Sequence, residues 1–153
     1  MTQFEFETEL HRIKMEENAA MIDFQKQKIH LKSEHKKHIS EIESDFHNKI
    51  TELLFNIATI AGQIAATTDI DTRGRLIFKE RSKQNEVTNL RPSHDIRLKN
   101  TINIYNIELD KISLAISEKK QDYDRRRMEL RKKFAAELEL QKQQQNQEQE
   151  QAE

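Results

Sequence analysis

Three carboxylates within one twelve-residue segment have the spacing at which proteins bind Ca²⁺. Asp69, Asp71 and Glu80 stand at its first, third and twelfth positions, and Gly74 stands at the sixth. Calcium takes oxygen ligands from those three positions, and a glycine at the sixth allows the chain to turn sharply between them. The chemistry available to this segment is therefore the binding of a divalent cation by oxygen ligands.

The segment resembles the calcium loop of an EF-hand, but the match is incomplete. Arg73 places a cation at the fifth position, where a ligand oxygen should stand. The residues after Glu80 are polar, although the second helix of an EF-hand needs an apolar face there, and the chain has only one such segment. We interpret the segment as a turn with aspartate caps and expect no cofactor. A calcium- or metal-responsive adaptor is kept as an alternative function.

Four of the six histidines lie within residues 30–47, at His30, His35, His38 and His47. A metal site would need ligands that converge from a second helix, and the sequence contains no Glu-x-x-His pair of the kind that carboxylate bundles use. The histidines are interpreted as polar residues that set the register between helices. A pair between His35 and Asp124 would make its surroundings sensitive to pH.

Two basic runs could contact phosphate groups. One spans Lys26–Lys37 and the other Arg125–Lys133. Acidic residues such as Glu34 and Glu129 interrupt both runs, and the formal net charge of −1 gives no overall attraction to nucleic acid or to an anionic membrane. Charge complementarity between helices explains the runs equally well. A nucleic-acid-binding accessory protein that uses this basic face is a second alternative function.

The composition argues against a compact enzyme. Hydrophobic residues make up 35% of the chain and charged residues another 35%, whereas average domains have about 45–50% and about 25%. The sequence has no glycine-rich phosphate loop, no serine-centred elbow and no zinc-binding HExxH motif. We therefore expect no catalytic residues and a protein that is not an enzyme.

The location of the protein is expected from three absences. The sequence has no cysteine and no basic segment followed by an apolar run at its start. Its most apolar stretch, from Ile50 to Ile64, is shorter than the roughly 20 residues of a membrane span. A cytoplasmic protein without a membrane span, or part of a particle assembled in the cytoplasm, is the expectation.

Helical periodicity divides the chain into two long helices. The spacing predicts a helix over 2–67, a short helical or irregular tip over 68–92, and a second helix over 93–140. Pro92 marks the second boundary, because the residue before a proline is pushed out of helical conformation. Residues 1–140 form one predicted domain, and the Gln/Glu-rich tail 141–153 is expected to be a frayed helix with nothing to bury.

Apolar residues at alternating three- and four-residue steps form a predicted coiled-coil seam. Its members are Ile50, Leu53, Ile57, Ile60, Ile64, Leu98, Ile102, Tyr105, Leu109, Ile112 and Ile116. The fold class is therefore all-α, a long antiparallel two-helix hairpin of coiled-coil type. Matching the two strongest stretches pairs Ile64 with Leu98, Ile57 with Tyr105, Leu53 with Leu109, and Phe46 with Ile116. A parallel oligomer of extended chains has the same periodicity and stays open.

Four apolar residues beside the seam predict an interface. A two-helix seam does not need these four residues, which are Leu54, Phe55, Ile104 and Ile107. They widen the apolar stripe near the turn, so we expect that end of the hairpin to contact a second copy or another helical protein. The expected function is that of a non-enzymatic coiled-coil structural or assembly protein that acts through helix–helix contacts and forms a homo-oligomer. Two-helix proteins of this size occur in phage particles and secretion machines, including the stalk proteins of type III export ATPases. That likeness is architectural only.

Overall fold

The computed structural model describes residues 1–152 and contains two helices. Helix α1 spans Gln3–Ala66 and helix α2 spans Ile70–Ala152. The two helices pack against each other, and the described part of the chain contains no strand. The predicted fold class, an all-α helical hairpin, is confirmed.

A capping box starts α1. The Thr2 hydroxyl accepts a hydrogen bond from the backbone N–H of Glu5 at 3.1 Å. The Glu5 carboxylate accepts one from the N–H of Thr2 at 3.3 Å. Because the first four N–H groups of a helix have no partner inside it, this reciprocal pair stabilises the beginning of α1.

The turn between the helices is shorter than the predicted tip over 68–92. Only residues 67–69 lie between α1 and α2. The Asp69 carboxylate accepts a hydrogen bond from the backbone N–H of Thr72 at 3.2 Å and another from its hydroxyl. This N-cap starts α2 at once, and Leu76, Val87 and Leu90 are then partly buried along the following turns. Residues 70–92 are therefore the first part of α2 and form no separate element.

The expectation that Pro92 begins a new helix is wrong. Helix α2 runs through Pro92 without a break and continues along residues 141–152 of the tail. A proline inside a helix has no N–H for the carbonyl four residues earlier, here that of Thr88. The local penalty of about 3 kcal/mol is outweighed by the long helix on both sides.

The chain divides into two compact units. Unit 1 combines Met1–Ile29 with Leu109–Glu153, and unit 2 is His30–Glu108. The buried core of unit 1 consists of Ile13, Tyr123 and Phe134, and that of unit 2 of Ile42 and Ile60. The core is narrow because each helix contributes a single stripe of side chains.

The register of the hairpin differs from the predicted one. Three ring stacks join α1 to α2: Phe6 with Phe134 in unit 1, and His35 with Tyr105 and Phe46 with His94 in unit 2. In each stack the two residue numbers add up to 140. Phe46 therefore faces His94 where Ile116 was predicted, and Tyr105 faces His35 where Ile57 was predicted. The cause is the short turn, which begins α2 at Ile70 and shifts every predicted pair.

Most predicted seam positions still lie on the inner side of their helix. Ile60 is buried, and nine others are partly buried: Ile50, Leu53, Ile57, Ile64, Leu98, Tyr105, Leu109, Ile112 and Ile116. Ile102 is the exception, because it is exposed and the neighbouring Thr101 is partly buried instead. Periodicity thus identified the inward stripe of each helix, although it did not identify the facing partners.

Candidate interaction surfaces

Two histidines fill seam positions in unit 2. The His35 ring stacks on Tyr105 with centroids 4.2 Å apart, and the His94 ring stacks on Phe46 at 4.0 Å. The His94 side chain is 10% exposed, and its Nε2 lies 3.5 Å from a Glu43 carboxylate oxygen. The hypothesis that His35 pairs with Asp124 is wrong, because Tyr105 occupies the place opposite His35. Of the four histidines interpreted as register residues, only His35 packs in the seam, whereas His30, His38 and His47 are exposed. His94, which was not among them, also packs there.

The calcium-like segment does not form a loop. Asp71 and Glu80 lie within α2, and Asp69 is its N-cap. Eleven residues of helix separate Asp69 from Glu80 by roughly 16 Å, so their carboxylates cannot surround one cation. No group of three or more candidate ligands converges on a metal anywhere in residues 1–152. The EF-hand-like candidates Asp69, Asp71 and Glu80 are therefore wrong as a ligand set.

The first three arginines of the basic run in α2, Arg125, Arg126 and Arg127, bind carboxylates within unit 1. Arg126 lies 3.0 Å from Glu16, and its guanidinium also lies over the Tyr123 ring at 5.3 Å. Arg125 pairs with Asp122, one turn earlier on the same helix. Because these charges already have partners, phosphate groups would have to displace carboxylates to reach them.

Arg127 forms the most protected of these ion pairs. Its Nη2 lies 2.7 Å from Glu17 on α1, and it also donates to Asp124. The hydrogen bonds that the Arg127 guanidinium donates to Asp124 and Glu17 raise its pKa above the ordinary value. Glu17 lies partly buried on the inner side of α1, and its pairing with Arg127 compensates the carboxylate charge there. These cross-helix ion pairs have a signal in the sequence: two adjacent acids in the first helix, Glu16 and Glu17, and two adjacent arginines in the second, Arg126 and Arg127.

Other basic residues remain exposed on their helices. Arg131, Lys132 and Lys133 are exposed on α2, and Lys26, Lys32, Lys36 and Lys37 are exposed on α1. Exposed cations interleaved with acids are the ordinary solvated face of a coiled coil. No feature of the described residues favours nucleic acid over this interpretation.

Open grooves follow one side of the hairpin in unit 2. A groove of about 330 Å³ lies beside the His35–Tyr105 stack, and Leu31, Ile42 and Ile104 supply its apolar walls. A second groove of about 530 Å³ is lined by Leu53 and Asn56 of α1 and by residues of α2 from Lys83 to Ser93. Both are surface clefts between helices, with charged rims formed by residues such as Glu34 and Lys83.

The four predicted interface residues are all exposed, between 52% and 71%, but they do not form one patch. Leu54 and Phe55 adjoin Leu53 and Asn56, which share the second groove with α2 residues from Lys83 to Ser93. Ile104 instead lies on the first groove with Leu31 and His35. Unit 2 therefore has two apolar patches: the Phe55 patch, formed by Leu54 and Phe55, and the Ile107 patch, formed by Ile104 and Ile107.

Comparison with known proteins gives no relative: no family model, no curated protein and no solved structure matches the chain. Within residues 1–152, neither helix contains a segment long and apolar enough to cross a membrane.

Proposed function

We propose that this chain is a structural assembly protein that self-associates through helix–helix contacts. Its place would be within a larger cytoplasmic complex, such as a phage particle or a secretion machine. One observation carries the proposal: among the described residues, five apolar side chains are buried and seventeen large ones are exposed. Soluble monomers rarely expose large contiguous apolar patches, and such patches mark contact sites.

Burial of the Phe55 and Ile107 patches would contribute a free energy comparable to the cost of association. Full burial of a Leu, Ile or Phe side chain contributes roughly 1.5–3 kcal/mol. These four side chains are 52–71% exposed, so each can still contribute roughly 1–2 kcal/mol. A symmetric pair of chains buries eight of them, on the order of 10 kcal/mol, which is comparable to the roughly 4–15 kcal/mol that association costs. Both patches are therefore needed for a stable contact.

Sedimentation velocity over a wide concentration range tests the proposal. The wild-type chain is expected to form a concentration-dependent oligomer, and Phe55→Asp or Ile107→Asp is expected to weaken it at least tenfold. Asn48→Asp and Asn103→Asp add the same charge at exposed positions of α1 and α2 and serve as controls. Circular dichroism confirms that each variant keeps its helices.

Two results would contradict the proposal. A monomer at every concentration would overturn self-association. An oligomer that both patch variants leave intact would show that other surfaces carry the assembly.

A further inference from the structure

A second heptad stripe runs along the outside of α1 in unit 1. We call it the outer strip, and it consists of Phe4, Thr8, His11, Met15, Asn18, Ile22, Gln25 and Ile29. Successive members are alternately four and three residues apart, which is the spacing of the core positions of a coiled coil. All eight residues are exposed, and the four large apolar ones are 55–77% exposed.

The hairpin itself does not use the outer strip. Its first six members each precede, by two positions, one of the α1 residues that are partly or fully buried: Phe6, Leu10, Ile13, Glu17, Ala20 and Phe24. Two residues correspond to about 200° around an α-helix. The outer strip therefore faces away from α2, and nothing in unit 1 covers it.

The outer strip also contains no Asp, Glu, Lys or Arg. Ten such residues lie between positions 4 and 29, and every one of them is off the strip: Glu5, Glu7, Glu9, Arg12, Lys14, Glu16, Glu17, Asp23, Lys26 and Lys28. If this face of α1 were only exposed to solvent, some of these charged residues would be expected on it. An uncharged stripe sustained over more than three heptads is instead the pattern of a helix–helix seam.

We propose that the outer strip pairs with the outer strip of a second copy as a parallel two-stranded coiled coil. The inference rests on the proposed self-association and adds a contact surface distinct from the Phe55 and Ile107 patches. With a contact in unit 1 as well as contacts in unit 2, one chain can join more than one neighbour, as an assembly protein must.

The order of residues along the strip selects a parallel partner. Apolar Met15, Ile22 and Ile29 occupy one kind of core position, and polar His11, Asn18 and Gln25 occupy the other. In a parallel pair each residue meets its own copy, so Ile22 packs on Ile22 and the Asn18 amides both donate and accept hydrogen bonds. In the antiparallel pair that aligns the two strips, Asn18 would face Met15 and its amide would be left unsatisfied. Isoleucine at heptad a positions is typical of parallel two-stranded pairs, and a polar core residue such as Asn18 specifies register at a cost in stability.

Charges beside the strip support the same orientation. Glu7 and Arg12 flank it on opposite sides, five residues apart. In a parallel coiled coil, residues so placed lie across the seam from each other, and the symmetry of the pair repeats the attraction. Such rim charges set orientation more than affinity.

Engineered cysteines can test the pairing, because the natural chain has none. Gln25→Cys in a parallel pair places the two sulfur atoms across the seam, within reach of a disulfide. In an antiparallel pair residue 25 would face residue 8, so the two introduced cysteines would stand roughly 25 Å apart. Asp23→Cys, two residues away and off the strip, is the matched control. The readout is covalent dimer on a non-reducing gel after mild oxidation of the full chain.

The expected result is at least tenfold more covalent dimer for Gln25→Cys than for Asp23→Cys. Adding Ile22→Glu should abolish that difference, whereas Gln27→Glu, the same charge off the strip, should not. Phe55→Asp should leave the Gln25→Cys dimer intact, since the Phe55 patch is a separate surface. Circular dichroism shows that each variant remains helical.

Other outcomes separate this inference from the proposed function. If the wild-type chain self-associates but Gln25→Cys gives no more dimer than Asp23→Cys, the strip pairing is wrong and the assembly proposal stands. Preferential cross-linking in a mixture of Thr8→Cys and Gln25→Cys chains would overturn the parallel orientation. A monomeric wild-type chain would overturn both proposals.

Discussion

The rings of Phe46 and His94 stack with their centroids 4.0 Å apart and their planes inclined by 20°. This contact fixes the register of unit 2, because a helix that slid by one turn would place a different side chain opposite Phe46. His94 lies two positions after Pro92, where the sequence predicted a helix boundary. The stack therefore shows both that α2 passes through Pro92 and which residues of the two helices face each other.

Cysteine pairs provide a direct test of this register. Phe46→Cys with His94→Cys is expected to form an intramolecular disulfide under mild oxidation, because the two residues face each other. Phe46→Cys with Ile116→Cys, the pair from the predicted register, is expected to stay reduced within the monomer. Disulfide content is read by mass spectrometry after alkylation. Efficient bridging of the second pair and not the first would reject the observed register.

The inward face of each helix follows from the sequence. Ile60 is buried at a position of the predicted seam, and nine other seam residues are partly buried. This succeeds because one face of each helix must avoid water, whatever lies opposite. The same rule cannot identify partners, and matching the two most apolar stretches gave the wrong pairs.

The signal that could have given the register is the position of irregular steps. In α1 two consecutive four-residue steps join Ile42, Phe46 and Ile50, and in α2 two such steps join Leu90, His94 and Leu98. Helices whose stripes shift at the same level can keep facing each other, since such a stutter locally unwinds both supercoil strands. Apolar periodicity alone does not reveal the match, because the central residue of the α2 steps is the polar His94. Pro92, two residues earlier, also suggested a helix boundary there.

The ion pair between Glu17 and Arg127 is expected to stabilise unit 1 modestly. Their side chains are 22% and 20% exposed, so water screens the attraction only partly. A double-mutant cycle with Glu17→Ala and Arg127→Ala, measured by urea unfolding, should give a coupling free energy of about 0.5–1 kcal/mol. The coupling should shrink in 1 M NaCl, where charges are screened within about 3 Å.

Arg125→Ala is the control for that cycle, because Arg125 is far more exposed and pairs only within its own helix. Its effect on stability should stay within about 0.5 kcal/mol. A coupling between Glu17 and Arg127 that is zero, or that does not depend on salt, would mean that the pair contributes nothing across the helices.

Asp69 is expected to make the stability of the turn dependent on pH. The Thr72 hydroxyl and then the Thr72 backbone N–H donate to its carboxylate and lower the pKa of Asp69 below its ordinary value of 3.8. A carboxyl group with a lowered pKa stabilises the folded state fully above its unfolded pKa, and this contribution is lost as the pH falls through the folded pKa.

Melting temperatures of wild type, Asp69→Asn and Asp69→Ala between pH 2 and pH 7 can measure this effect. Near neutral pH the order should be wild type, then Asn, then Ala, because asparagine keeps the cap and loses only the charge. The difference in melting temperature between wild type and Asp69→Asn should disappear below about pH 3.8. Asp71→Asn is the control, because it removes a neighbouring exposed carboxylate. A gap that is constant with pH would show that the charge of Asp69 is not what stabilises the cap.

Replacing Pro92 is expected to stabilise the protein. Proline inside a helix costs about 3 kcal/mol relative to alanine, partly because the carbonyl of the residue four positions earlier loses its N–H partner. Pro92→Ala restores that donor for the Thr88 carbonyl, while the more flexible unfolded chain offsets about 0.4–1 kcal/mol of the gain. Urea unfolding should therefore show a net increase of about 2 kcal/mol, and Ser93→Ala, at the next exposed position of α2, should change stability much less. If Pro92→Ala leaves stability unchanged or lowers it, the geometry that the proline imposes on α2 must itself be needed for the stack of His94 on Phe46.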